Sequence, residues 1–399
     1  MLSRNSSGLF LRLYEALLCI YIVVAPINNA LNDRGIYAMV GYAAMLLLAV
    51  GTPCALLGQA FGAQKKMGGI YTAIYLVGAF ASAGTLMQLI QYHGATQILM
   101  FAQFISISRR VNLKKIFMAF YVSTIISAMF SVTLGWVSSS VTRTAADVDG
   151  SIAPAVLAIV MFAQEDFERS RSYNALKTAA LYCGIIVAFF GMSRSRLALI
   201  AVMVLLKIVL SLRSSATSGK VKQSMLLLLP LGLIAIVVAL EMDVTQQLLS
   251  EIEGRFESGF EDQVRDAEAE AGWRMFQENW LIGRGWNKLL YKLPIGYRIH
   301  NNHNMYVSIL ARGGIILGIT MGISFFRLIK RALEKKNTLV FIMLGLFFAL
   351  GYGNAGAFNY TICSMMIPVA ILLDQEKVTP EQEEVLVQEE GTNENNLYS

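Results

Sequence analysis

The feature that most constrains this chain is a set of twelve apolar runs. They lie near residues 10–28, 36–58, 68–92, 94–108, 115–138, 151–164, 176–192, 195–212, 224–241, 304–326, 338–356 and 357–374. A helix needs about 20 apolar residues to cross the hydrocarbon core of a bilayer. The runs at 94–108 and 151–164 are short and read as re-entrant or tilted helices. The last pair divides at Gly351-Tyr352-Gly353-Asn354, because one helix covering 338–374 would overshoot the membrane. The expected fold is an all-α polytopic membrane protein with about twelve transmembrane helices.

The charges test that count. Charged residues make up 15% of the chain, against about 25% in soluble domains. With the N-terminus inside, the cytoplasmic connections hold Arg4 and Arg12; Lys65 and Lys66; Arg109, Arg110, Lys114 and Lys115; Arg169, Arg171 and Lys177; Arg213, Lys220 and Lys222; and Arg327, Lys330, Arg331, Lys335 and Lys336. The short outside loops hold little more than Arg34 and Arg143. This alternation is the positive-inside pattern, and adding or dropping one span would break it. Of the 33 Lys and Arg, 20 fall inside. The net charge of +6 thus reflects topology and calls for no nucleic acid. Residues 1–375 are expected to form one transmembrane domain. Residues 376–399 form an acidic cytoplasmic tail, too poor in apolar residues to fold.

Metal chemistry has little to work with. Cys19, Cys54, Cys183 and Cys363 lie in apolar runs as small core residues, and the only histidines are His93, His300 and His303. No metal and no cofactor are expected. Asp147-Val148-Asp149 has the spacing of a metal and nucleotide-diphosphate motif, but reads as a surface turn in an outside loop. Glu15 is the one acid near a span, whereas ion-coupled carriers need acids at mid-depth.

Two outside features break the pattern. Met192-Ser193-Arg194-Ser195-Arg196 puts two arginines in a short turn with no acid of its own. Between the ninth and tenth spans, residues 242–303 form one large periplasmic loop with ten acids and seven bases. Arginine binds phosphate bidentately and stays charged when desolvated. Arg194 and Arg196 therefore point to a lipid-linked phosphate. Arg255, Arg284 and Arg298 read as partners of the loop's own acids, and residues 261–278 as a helix of mixed charge. The loop closes on Tyr297-Arg298-Ile299-His300-Asn301-Asn302-His303-Asn304. Two histidines there fit either a general base or a polar helix cap.

Four motifs carry a resemblance. His303-Asn304-Met305-Tyr306 leads into Gly313-Gly314-Ile315-Ile316-Leu317-Gly318. Phe276-Gln277-Glu278-Asn279-Trp280-Leu281-Ile282-Gly283-Arg284-Gly285-Trp286 precedes it, with Trp280 where proline is usual. Arg265 stands about eleven residues earlier, and Ser193-Arg194 opens a span. Together they resemble the O-antigen ligase and Wzy-type O-antigen polymerase family over roughly residues 185–330.

The resemblance implies an inverting, metal-independent glycosyltransferase in the bacterial inner membrane, with its site on the periplasmic face. Its donor would be an undecaprenyl-diphosphate-linked glycan. Its acceptor would be lipid A–core for a ligase, or a second lipid-linked repeat unit for a polymerase, and the motif and loop length lean to the ligase. Membrane lipid is the remaining partner. By motif position His303 is the base, and Arg194 and Arg265 hold the leaving diphosphate, with Arg196 as a stand-in for Arg194. His300, Arg274 and Arg298 are secondary candidates. A lipid-linked glycan flippase is the competing class, and would need charges lining a cavity within the spans.

Overall fold

The computed structural model describes residues 4–27, 39–62, 94–137, 148–163, 170–190, 194–213, 263–285, 291–292, 298–299, 304–353 and 359–374. The helices are α1 Arg4–Val24, α2 Met39–Leu46, α3 Thr52–Leu57, α4 Gly94–Phe104, α5 Leu113–Val137, α6 Ile152–Phe162, α7 Arg171–Phe190, α8 Arg194–Arg213, α9 Gln263–Glu278, α10 Met305–Lys335, α11 Thr338–Gly353, α12 Tyr360–Ser364 and α13 Met366–Asp374. Ten of the twelve apolar runs carry helix; the runs at 68–92 and 224–241 lie outside the described residues, as do residues 376–399. Among the described residues, the extended exception is a short antiparallel pair, β1 Tyr291–Lys292 with β2 Arg298–Ile299.

Among the described residues, four helical stretches are long and apolar enough to cross a membrane: Ser7–Ile27, Val40–Leu57, Leu113–Thr133 and Met305–Lys335. The second joins α2 to α3 through a π-helical turn, Leu47–Gly51. Pro53 follows directly; it cannot donate to the preceding turn, and the wider turn absorbs the mismatch.

α6 is the hub. It contacts α5, α7, α8 and α11. Its sequence, Ile-Ala-Pro-Ala-Val-Leu-Ala-Ile-Val-Met-Phe, is apolar all round, as a helix enclosed by others must be. Its alanines let neighbouring backbones come close. Pro154 sits in the first turn, where its missing N–H would have had no helical partner. At 11 residues α6 is about 16 Å long and does not cross a bilayer alone. Large rings fill the surrounding core, including Tyr14, Tyr21, Phe101, Phe117, Phe120 and Phe347.

Several buried polar groups are turned to backbone carbonyls or to a charged partner. In α5, Thr124 and Ser131 donate to the carbonyls of Phe120 and Ser127, each at 2.9 Å, while Ser123 reaches Ile22 O of α1 at 2.9 Å. At one end of the bundle the buried carboxylate of Glu15 accepts from Asn112 N at 2.9 Å and Lys115 Nζ at 2.6 Å. Asp374 accepts from Arg109 N at 3.0 Å at the same end.

Candidate functional site

The run at 304–326 is not one straight span. Inside α10, Gly314 has φ 63° and ψ −166°, a conformation open essentially to glycine alone. The helix folds sharply there. Tyr306 Oη donates to Phe348 O at 3.3 Å, and the ring of Phe325 packs edge-on against the ring of Phe348 at 4.9 Å. A straight helix would hold positions 306 and 325 about 28 Å apart, too far for both to meet one residue of α11. Leu310 likewise packs against Gly318, although two full turns separate them in sequence. α10 is thus an upper limb, 305–313, set against a lower limb, 315–335.

Such a break splits two backbone bonds. In a continuous helix Ile315 N would donate to Ala311 O, and Ile316 N to Arg312 O. Here the loop after α9 enters the gap and takes all four groups. Arg284 N donates to Ala311 O and Gly285 N to Arg312 O, both at 3.0 Å; Ile315 N donates to Trp280 O at 2.8 Å and Ile316 N to Leu281 O at 3.3 Å. Unsatisfied backbone is costly in an apolar layer, so loop and break stabilise each other. The glycines follow from the closeness of this clasp. Gly283 has φ 69°, and a Cβ there would overlap the Arg312 carbonyl; a Cβ on Gly314 would overlap the Leu281 carbonyl. The two glycine motifs read separately in the sequence are the two halves of one structure.

α9 brings the charged loop to this place. Its buried face, Glu268, Gly272 and Met275, repeats at i, i+4 and i+7, and Met275 packs on Ala311 of α10. Arg274 pairs with Glu270 on the exposed side, and Arg284 with Glu278 at 3.3 Å. For Arg284 this is the pairing with the loop's own acids that the sequence leads one to expect. Arg265 belongs to the first turn of α9, Arg194 opens α8 and Arg298 lies in β2, but their side chains fall outside the described residues. So do His300, His303, Arg255 and residues 242–262.

Asn304 follows His303 and caps α10. Its Oδ1 accepts from Tyr306 N at 3.0 Å and Val307 N at 3.3 Å. The asparagine of the motif therefore has a structural task. On the buried side of the upper limb, Ser308 and Arg312 stand one and two turns beyond Asn304, at i+4 and i+8. Sequence reasoning misses Arg312 because it sits inside an apolar run beside two glycines. Its burial on a helix of this kind marks it as a candidate polar site.

Asp149, of the Asp147-Val148-Asp149 motif, is not simply part of a surface turn; Asp147 lies outside the described residues. Asp149 accepts from Arg196 Nη2 at 3.2 Å, with side chains 12% and 15% exposed, and from Ser151 N at 3.0 Å. Its own N–H donates to Pro26 O at 2.7 Å. The acid that the Arg194/Arg196 turn lacks is supplied by another loop. Arg196 also lies over Gly150, where a Cβ would come within 2.6 Å of its Nη1. Among the described residues no group of three His, Cys, Asp or Glu is placed to hold a metal.

Residues 179–322 match the family model of O-antigen ligases, from the middle of α7 through α8 and α9 to the lower limb of α10. The resemblance read from the four motifs is borne out, and with the apolar helices it makes this a membrane protein. No curated protein matches the chain.

Proposed function

We propose that this chain is a periplasmic-face glycosyltransferase that moves a glycan from undecaprenyl diphosphate to an acceptor hydroxyl, acting as an O-antigen ligase on lipid A–core. It would sit in the bacterial inner membrane with both termini cytoplasmic. The clasp carries this reading. The motif at 276–286 and the one opening at His303 belong to one structure, and the family match covers both.

The chemistry needs a base and a cationic clamp. The acceptor oxygen attacks the anomeric carbon as its proton passes to the His303 imidazole, with His300 the secondary candidate. The new C–O bond forms while the bond from the anomeric carbon to the diphosphate oxygen breaks, and configuration inverts. Negative charge gathers on the leaving diphosphate, where Arg194 and Arg265 stabilise it. Arg196, partnered by Asp149, steadies the first turn of α8 beside Arg194. Ser308 and Arg312 carry buried polar groups along the upper limb beyond Asn304. The apolar helices offer the polyprenyl tail a hydrocarbon-like surface.

The test is a lipopolysaccharide gel of a deletion strain complemented with variants. Loss of this activity leaves bare core with polymer still on the carrier lipid. Core bearing one repeat identifies instead a polymerase that joins lipid-linked repeat units, and an unchanged profile overturns both. His303→Ala is expected to insert normally and to abolish transfer; wild-type transfer would remove the base assignment. Arg194→Lys should also be impaired, because lysine cannot make the bidentate contact.

A further inference from the structure

The first turn of α8 holds two arginines, and the helix sets them on different faces. At about 100° per residue, positions 194 and 196 lie about 200° apart. Arg196 faces α6: its Nη2 donates to Asp149 Oδ1, and its guanidinium lies over Gly150. The same face continues to Met203, buried at i+7, and to Lys207 at i+11, whose Nζ stands 5.5 Å from the ring centre of Phe162. Residues 149–150 lead into α6 and Phe162 ends it, so α6 and α8 run side by side in the same direction. Position 194 heads the other face, where Ala198, Val202, Leu205 and Val209 are exposed at i+4, i+8, i+11 and i+15.

Two arginines in such a turn call for a carboxylate. A helix N-terminus carries partial positive charge and disfavours cations. Asp149 supplies the compensating charge from the start of α6, itself a favourable place for an acid. There its Oδ1 also accepts from Ser151 N at 3.0 Å, and its carbonyl accepts from Ile152 N at 3.2 Å. Its Oδ2 is buried with no hydrogen-bond partner among the described residues. The carboxylate therefore depends on Arg196 and on the α6 backbone. Because Asp149 N donates to Pro26 O, this one residue joins the end of the first long helical stretch to α6 and α8.

We propose that Asp149 and Arg196 are positioning residues for the transfer reaction, an inference that rests on the reading of Arg194 as a ligand of the leaving diphosphate. Arg196 is engaged by Asp149 and does not stand in for Arg194 at the substrate. The pair pins the first turn of α8 to α6 and so fixes the face on which the chain presents position 194.

The test is a double-mutant cycle on the full chain, purified in detergent micelles. Asp149→Asn, Arg196→Gln and their combination are compared by melting, and by kcat/KM for an undecaprenyl-diphosphate-linked glycan donor well below every melting point. Removing one member of a buried pair leaves the other uncompensated, whereas removing both costs far less. Arg196→Gln should lower kcat/KM on the order of a hundredfold, and the double variant should recover most of that loss. A double variant that melts like wild type but transfers no better than Arg196→Gln would mean that Arg196 touches substrate, and would overturn the proposal. Wild-type kcat/KM in all three variants would leave the pair with a structural role alone, and additive changes in melting would show no coupling; either result overturns it too. Arg196→Lys is the milder variant. It keeps a charge beside Asp149 and should retain most transfer, where Arg194→Lys loses it; equal loss in both would overturn the division of roles. A wild-type chain that transfers nothing is a separate outcome: it removes the transferase reading, and the positioning role falls with it.

Discussion

α5 and α10 are both long apolar helices, and they meet the same requirement in opposite ways. α5 runs 25 residues without a break, and its buried Thr124 and Ser131 return their hydroxyls to its own carbonyls. α10 breaks at Gly314 and relies on a segment some thirty residues earlier to complete its backbone bonding. The difference teaches that apolar length predicts a helix but not a continuous one. Continuity depends on whether another part of the chain can supply the groups that a break exposes.

Substitutions along α10 can break this contrast. Gly314→Ala should have the largest effect. It puts a Cβ into a glycine-only conformation and into the Leu281 carbonyl, for a loss of about 3 kcal/mol or more. Denaturation in detergent micelles would show it as a much earlier transition, and glycan transfer should vanish with it. A stable, active variant would mean that α10 can run straight.

Asn304→Ala comes next. It removes the cap of the upper limb at about 1 kcal/mol, and Asn304→Ser, also a good cap, should recover most of that in the same melt. A histidine–asparagine motif that tolerates serine for stability but not for transfer would show that the asparagine has a second task.

Gly322→Ala should be the smallest and of opposite sign. Nothing lies within 4 Å of a Cβ there, so alanine is expected to stabilise the lower limb by up to about 1 kcal/mol. The same measurement on this glycine and Gly314 separates a helix interior from a break.

Much of the helical order could be read from the sequence, because apolar runs and charge alternation are local patterns. Ten of those runs are helices, and the mixed-charge helix at 261–278 is found as α9, Gln263–Glu278. What eluded reading depends on partners far apart in the chain. Asp149 looks like a surface turn until Arg196, 47 residues on, is placed beside it. Glu15 looks like a stray acid until Lys115, 100 residues on, supplies its counter-charge. The histidine and glycine motifs were both visible, yet nothing in either says that they interlock. That rests on the φ of Gly314 and on four backbone bonds, and backbone groups are the same in every residue.

The clasp also has an order in time. Residues 280–285 leave the ribosome before residues 311–316, so the groups that complete the break exist before the break is made. A helix that completed itself could be released into lipid on its own. This one has to keep hold of the loop ahead of it, and the loop must already have been carried to the side where α10 begins. Membrane insertion and assembly of the site are then one event for this part of the chain.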